Sequence, residues 1–122
     1  VVTTKAIGDD GEALALAHLT RQGLSLVQRN YRVARGPAAR GGEIDLILRD
    51  RDGTLVFVEV RARKSMAYGG AAGSVSATKQ RRVVFAATCF LRTWPVPPPC
   101  RFDVVTIDGD RIDWIRAAFD AS

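Results

Sequence analysis

Two carboxylates interrupt otherwise apolar runs in GGEIDLILRDRDGTLVFVEVRARK, residues 41–64. Asp45 stands among Ile44, Leu46, Ile47 and Leu48, and Glu59 follows Leu55, Val56, Phe57 and Val58. Burial of an ionised carboxylate is costly unless a proton, a cation or a metal neutralises it. If the two acids face one another they could share a proton or hold a divalent cation, so what they can do depends on strand register.

Residues 44–48 and 55–60 read as strands joined by RDRDGT. A two-residue Asp52-Gly53 turn would set Asp45 against Val60, Leu46 against Glu59 and Ile44 against Arg61, each a charge against an apolar side chain. The three-residue loop Arg51-Asp52-Gly53, a type I turn closed by glycine in the left-handed region, gives another pairing. One face becomes Ile44–Val60, Leu46–Val58 and Leu48–Val56. The other becomes Glu43–Arg61, Asp45–Glu59, Ile47–Phe57 and Arg49–Leu55. A one-residue slip moves every side chain to the opposite face, so the apolar pattern selects the second register.

Directly opposed carboxylates have Cβ atoms ~5 Å apart and repel. Arg61, on the same face, supplies one positive charge. Mg²⁺ (or Mn²⁺) suits the remainder, because such cations take hard oxygen ligands from one or two carboxylates together with water and phosphate. A salt-bridged Glu59–Arg61 pair near a sheet end is the plainer alternative, and it leaves Asp45 unexplained.

The elements that must position these residues are legible in outline. Residues 4–22 predict a helix with an apolar face of Ile7, Leu14, Leu16 and Leu19, stopped at Gly23. Gly8 and Gly11 weaken its first half and allow close approach by another segment. Residues 24–33 predict a first strand, followed by the basic loop VARGPAARG. Ser76 is a helix N-cap candidate, and Val83, Val84, Ala87, Phe90 and Leu91 recur at helical spacing before PVPPP ends the helix. Residues 101–108 and 111–115 predict two further strands around an Asp108-Gly109-Asp110 turn. The order α-β-β-β-α-β-β describes a single α/β domain, residues 1–122, with a central mixed sheet of about five strands flanked by helices.

At 122 residues the chain can bury one core. It has no apolar run of the ~18 residues that span a bilayer, and no signal-peptide pattern, so the expectation is a cytoplasmic protein without a membrane partner. Cys89 and Cys100 lack CxxC spacing and read as ordinary thiols; His18, the only histidine, reads as a packing or surface residue and does not support His-based metal or triad chemistry. YGGAAGSVSATK lacks the lysine spacing of a nucleotide-binding P-loop. The net charge of +5 favours a polyanionic partner. Arg29, Arg32, Arg35 and Arg40 precede the acidic strands and Arg63, Lys64, Lys79, Arg81 and Arg82 follow them, so a phosphate backbone could be tracked from either side.

Taken in order, GDDGEALALAHL, RNYR, GGEIDLI, VFVEVRAR, KQRR, RFDVV and AAF resemble the YraN family of small bacterial proteins. Through it, the chain resembles the PD-(D/E)XK restriction-endonuclease-like superfamily, which is similar in arrangement to the archaeal Holliday-junction resolvases. The resemblance implies a restriction-endonuclease-like fold and a metal-dependent nuclease acting on DNA, with branched or recombination and repair DNA as candidate substrates. It assigns Glu12 as the acidic residue of the first helix, Asp45 as the metal-binding aspartate and Glu59 as the acidic member of the E-x-K element. The carbonyl of Val60 would complete the metal shell, and Lys79 would touch a phosphate or catalytic water. The family pattern has lysine where this chain has Arg61. Arginine, with a pKa above ~12, stabilises charge but cannot act as a base. Lys64 or Lys79 compensates if either reaches the site, and a metal-bound water serves without any lysine. The alternatives are a catalytically inactive nucleic-acid-binding protein of the same fold, and an assembly protein pairing through its hairpin edge. A homodimer would let so small a nuclease engage two strands.

Overall fold

The computed structural model describes residues 4–34, 41–63 and 75–121. In chain order these form α1 (Thr4–Arg21), β1 (Ser25–Val33), β2 (Gly42–Arg49), β3 (Leu55–Arg63), α2 (Ala77–Leu91), β4 (Cys100–Asp108) and β5 (Arg111–Phe119). The five strands make one sheet in sequence order. All neighbours are antiparallel except β3 and β4, which run parallel. A parallel neighbour requires a crossover, and α2 lies within it.

The β2–β3 hairpin has the three-residue loop. Leu46 pairs with Val58, Ile47 with Phe57, Leu48 with Val56 and Arg49 with Leu55. Asp50 N–H donates to the Thr54 carbonyl at 2.9 Å, and Gly53 N–H to the Asp50 carbonyl at 3.0 Å. Gly53 has φ 90°, the left-handed conformation that the loop requires.

Alternation along β3 divides the core between the helices. Val56 and Val58 join Leu46, Leu48, Val105 and Ile107 under Ala15 and Leu19 of α1. Leu55 and Phe57 join Ile47 and Phe102 under Val83, Ala86 and Ala87 of α2. Full burial of one such side chain contributes ~1.5–3 kcal/mol, which is what fixes two helices onto two faces. Gly11 lets α1 approach closely, since a Cβ there would stand 3.2 Å from that of Ala62. Leu14, expected on the buried face, is 48% exposed.

Both helices end as their sequences dictate. Leu24 N–H donates to the Leu19 carbonyl at 3.1 Å and Gly23 N–H to that of Thr20 at 3.0 Å, a Schellman closure around Gly23 at φ 104°. Leu19 and Leu24 then bury together. Ser76 Oγ accepts from Lys79 N–H at 3.1 Å and so caps α2.

β5 runs four residues beyond the expected Ile115, because Asp103 holds it. The carboxylate of Asp103 is fully buried and accepts from Arg101 Nε (3.1 and 3.2 Å), Trp114 Nε1 (2.9 Å) and Ala117 N–H (2.9 Å). With its oxygens satisfied it is a structural anchor rather than a reactive group. Among the described residues no helix is long and apolar enough to cross a membrane, and both cysteines are free.

Candidate active site

The chemistry-bearing residues gather where β2 parts from β3. The last paired residues are Leu46 and Val58, while β2 continues beside β1 as far as Gly42 opposite Val33. The expected pairings of Ile44 with Val60, of Asp45 with Glu59 and of Glu43 with Arg61 do not form. In their place, Val60 N–H donates to Asp45 Oδ2 at 2.8 Å, so a side chain takes over where the ladder stops.

Asn30 marks the same point on β1. Its φ of 53° is left-handed, a conformation that asparagine tolerates better than most residues, and it breaks the alternation of faces. Arg29 lies 3.9 Å from Glu12 of α1, whereas Tyr31 packs edge-on against Phe90 of α2 with ring centroids 5.2 Å apart. On β2 the change is mirrored: Leu46 belongs to the α1 cluster and Ile44 to the α2 cluster. Ile44 was expected on the face of Leu46, and this reversal at Asp45 is the reason it is not.

Glu59 is 4% exposed. Burial, and then the charge of Asp45 with which it can share a hydrogen bond, push its carboxyl up to about 8; Lys79 and, more weakly, Arg61 pull the other way. Its Oε2 is buried and has no hydrogen-bond partner. Among the described residues the cation nearest to it is Lys79, whose Nζ stands 3.6 Å from that oxygen and donates to Glu43 Oε1 at 3.0 Å. Burial works against the Lys79 ammonium, but Glu59, Glu43 and Asp45 together raise its pKa above the ordinary value. The Lys79 hydrogen bond, with the charges of Lys79, Arg82 and Arg32, holds Glu43 below the ordinary carboxylate range against the cost of burial.

The structure therefore brings together Asp45, Glu59, Val60 and Lys79, with Arg61 two residues along β3 as a weaker neighbour. Glu12 stands on α1, the helix of the opposite face, beside Arg29. Among the described residues, no three His, Cys, Asp or Glu side chains are grouped as a metal cage. A carboxylate pair still fits Mg²⁺, which keeps several waters and binds through one or two carboxylates plus phosphate. The proton that Glu59 retains, and its orphaned Oε2, mark where a cation would be stabilised.

Of the basic residues expected near phosphate, Arg32 and Arg82 approach Glu43 at 3.7 and 4.0 Å. Arg81 is exposed and donates to Thr78 Oγ1 at 3.2 Å. Arg35, Arg40 and Lys64 lie outside the described residues, as does the side chain of Arg63. The residue that sequence reasoning missed is Glu43. Its signal was a third acid two positions before Asp45, which register logic assigned to Arg61.

Fold and site define a small mixed α/β protein with a buried Glu59 beside a half-buried Asp45, served by a helix-borne lysine, at the parting of two central strands. The chain belongs to the uncharacterised protein family UPF0102, whose model matches residues 11–107. It is 66% identical to a UPF0102 protein of Methylibium petroleiphilum over all 122 residues of both chains. It is 65% identical to one of Acidovorax sp. over 98% of this chain and 89% of that relative, and 56% identical to one of Cupriavidus taiwanensis over 96% and 85%. These names state family membership and no activity.

Proposed function

We propose that this chain is a metal-dependent phosphodiesterase of the PD-(D/E)XK restriction-endonuclease-like superfamily that cleaves DNA, with branched recombination or repair intermediates as the favoured substrates. The observation that carries the reading is Glu59, 4% exposed, with the Asp45 carboxylate beside it and an ammonium 3.6 Å away. A core carboxylate that must hold a proton near neutral pH destabilises a fold, so its retention calls for a ligand that repays it.

Asp45, Glu59 and the Val60 carbonyl would hold Mg²⁺ or Mn²⁺. When bound, such an ion lowers the pKa of a coordinated water and neutralises charge developing on the phosphate. The chain's own groups do the rest. Asp45 is oriented by Val60 N–H, so one of its oxygens is fixed in direction. Lys79 brings a positive charge to 3.6 Å from Glu59, where it can touch a phosphate or a catalytic water, while Arg61 adds charge without acting as a base. Glu12, to which the resemblance gives a role, stands on the α1 side beside Arg29 and would have to reach the centre from there.

The test is incubation of purified protein with linear, single-stranded and four-way-junction DNA in Mg²⁺ or Mn²⁺. Wild type should cut and Asp45→Asn should not; absence of cleavage by wild type, or equal cleavage by both, overturns the reading. The +5 charge and Arg61 favour one alternative, a DNA-binding protein of this fold without turnover. It would bind in a salt-dependent manner, insensitive to EDTA, and leave every substrate intact.

A further inference from the structure

Beside the carboxylate pair lies a cleft of about 260 Å³, between the end of β1, the start of β2 and α2, with Arg32, Glu43 and Arg82 on its walls. Three cations surround one carboxylate there: Glu43 accepts from Lys79 at 3.0 Å and is approached by Arg32 at 3.7 Å and Arg82 at 4.0 Å. Only the lysine makes a hydrogen bond. The two guanidiniums stand beyond hydrogen-bond distance from Glu43, and Arg82 Nε is buried with no partner. A buried guanidinium N–H without an acceptor is a costly vacancy, and the acceptor that a planar arginine fork fits best is a carboxylate or phosphate.

We propose that this cleft is a second phosphate subsite, taking a DNA backbone phosphate next to the one at Asp45 and Glu59, with Glu43 holding its cations in place until DNA arrives. The inference rests on the phosphodiesterase reading and gives it a direction: the strand leaves the carboxylate pair past Lys79 toward Arg32 and Arg82. Phosphate oxygens suit the terminal nitrogens of Arg82, one of which stands 4.0 Å from Glu43, and Arg32, with a side chain 75% exposed, can swing onto the same group. Glu43 opposes the incoming anion. Its effect on affinity is therefore the reverse of what a simple binding residue would have.

The experiment is fluorescence anisotropy with a short labelled DNA duplex and a four-way junction, in EDTA, at several salt concentrations. Arg82→Ala should weaken binding about tenfold and lower the slope of log affinity against log salt by about 1. Arg32→Ala, on an exposed side chain that cannot unfold the protein, should act in the same direction. Glu43→Gln should tighten binding. If wild type binds but the arginine variants do not weaken it, or Glu43→Gln weakens it, the subsite is overturned while the cleavage assay leaves the phosphodiesterase reading intact. If wild type binds neither DNA in EDTA, the subsite is overturned, and cleavage in Mg²⁺ still decides the phosphodiesterase reading.

Discussion

Burial pushes the Glu59 carboxyl well above the ordinary carboxylate range, and the consequence for stability has a definite sign. Its folded-state pKa is raised from 4.5 to about 8, with burial as the leading cause and Asp45 second. Between those values the native chain holds a proton that the unfolded chain has released, so stability is present below the unfolded value and is lost as pH rises toward about 8. In metal-free protein, wild type should therefore lose stability against Glu59→Gln across that window, by at most about 1 kcal/mol per pH unit. Denaturant titrations of both proteins across the window would measure it. Added Mg²⁺ should offset the loss at the upper end in wild type only. Parallel curves would mean that Glu59 ionises freely.

Helix α2 meets the sheet through a glycine whose role is spatial. A Cβ on Gly42 would stand 2.3 Å from the Arg82 carbonyl and 3.0 Å from Ala86 Cβ, so Gly42→Ala must push α2 outward. We expect it to cost ~1–3 kcal/mol, as overpacking does, and to reduce cleavage beyond that loss because Lys79 rides on the displaced helix. Gly53→Ala is the control. Its Cβ meets nothing within 4 Å, so only the left-handed φ is penalised, by about 1 kcal/mol, and activity should persist. Thermal melts paired with rates separate the two. The contrast also shows what was legible in the sequence. Asp52-Gly53 and the apolar alternation were enough to define the hairpin, because turn chemistry and patterning are local. The reversal at Asn30 and the parting of β2 from β3 were not legible, because they depend on how Tyr31 and Ile44 meet α2 across the sheet. Asp103 was read only as part of a strand, since its partners Trp114 and Ala117 come from β5.

At the scale of the whole molecule, the fold joins segments that are distant in sequence: Asp45 and Glu59 from one hairpin, Lys79 from the crossover after it, Arg32 from the strand before. The sequence placed the lysine question at Arg61, two residues from Glu59. Tertiary structure moves it to α2, where the Ser76 cap sets the first turn and Glu43 holds the ammonium 3.6 Å from Glu59. On the proposed reading, that exchange of one lysine position for another completes the phosphodiesterase centre, and single-turnover cleavage of DNA by Lys79→Met and Arg61→Met tests it most directly. Lys79→Met should slow the reaction about 100-fold or more, as loss of a charge-stabilising donor does, and Arg61→Met about tenfold or less. The reverse order, with Arg61→Met inactive and Lys79→Met close to wild type, would contradict it.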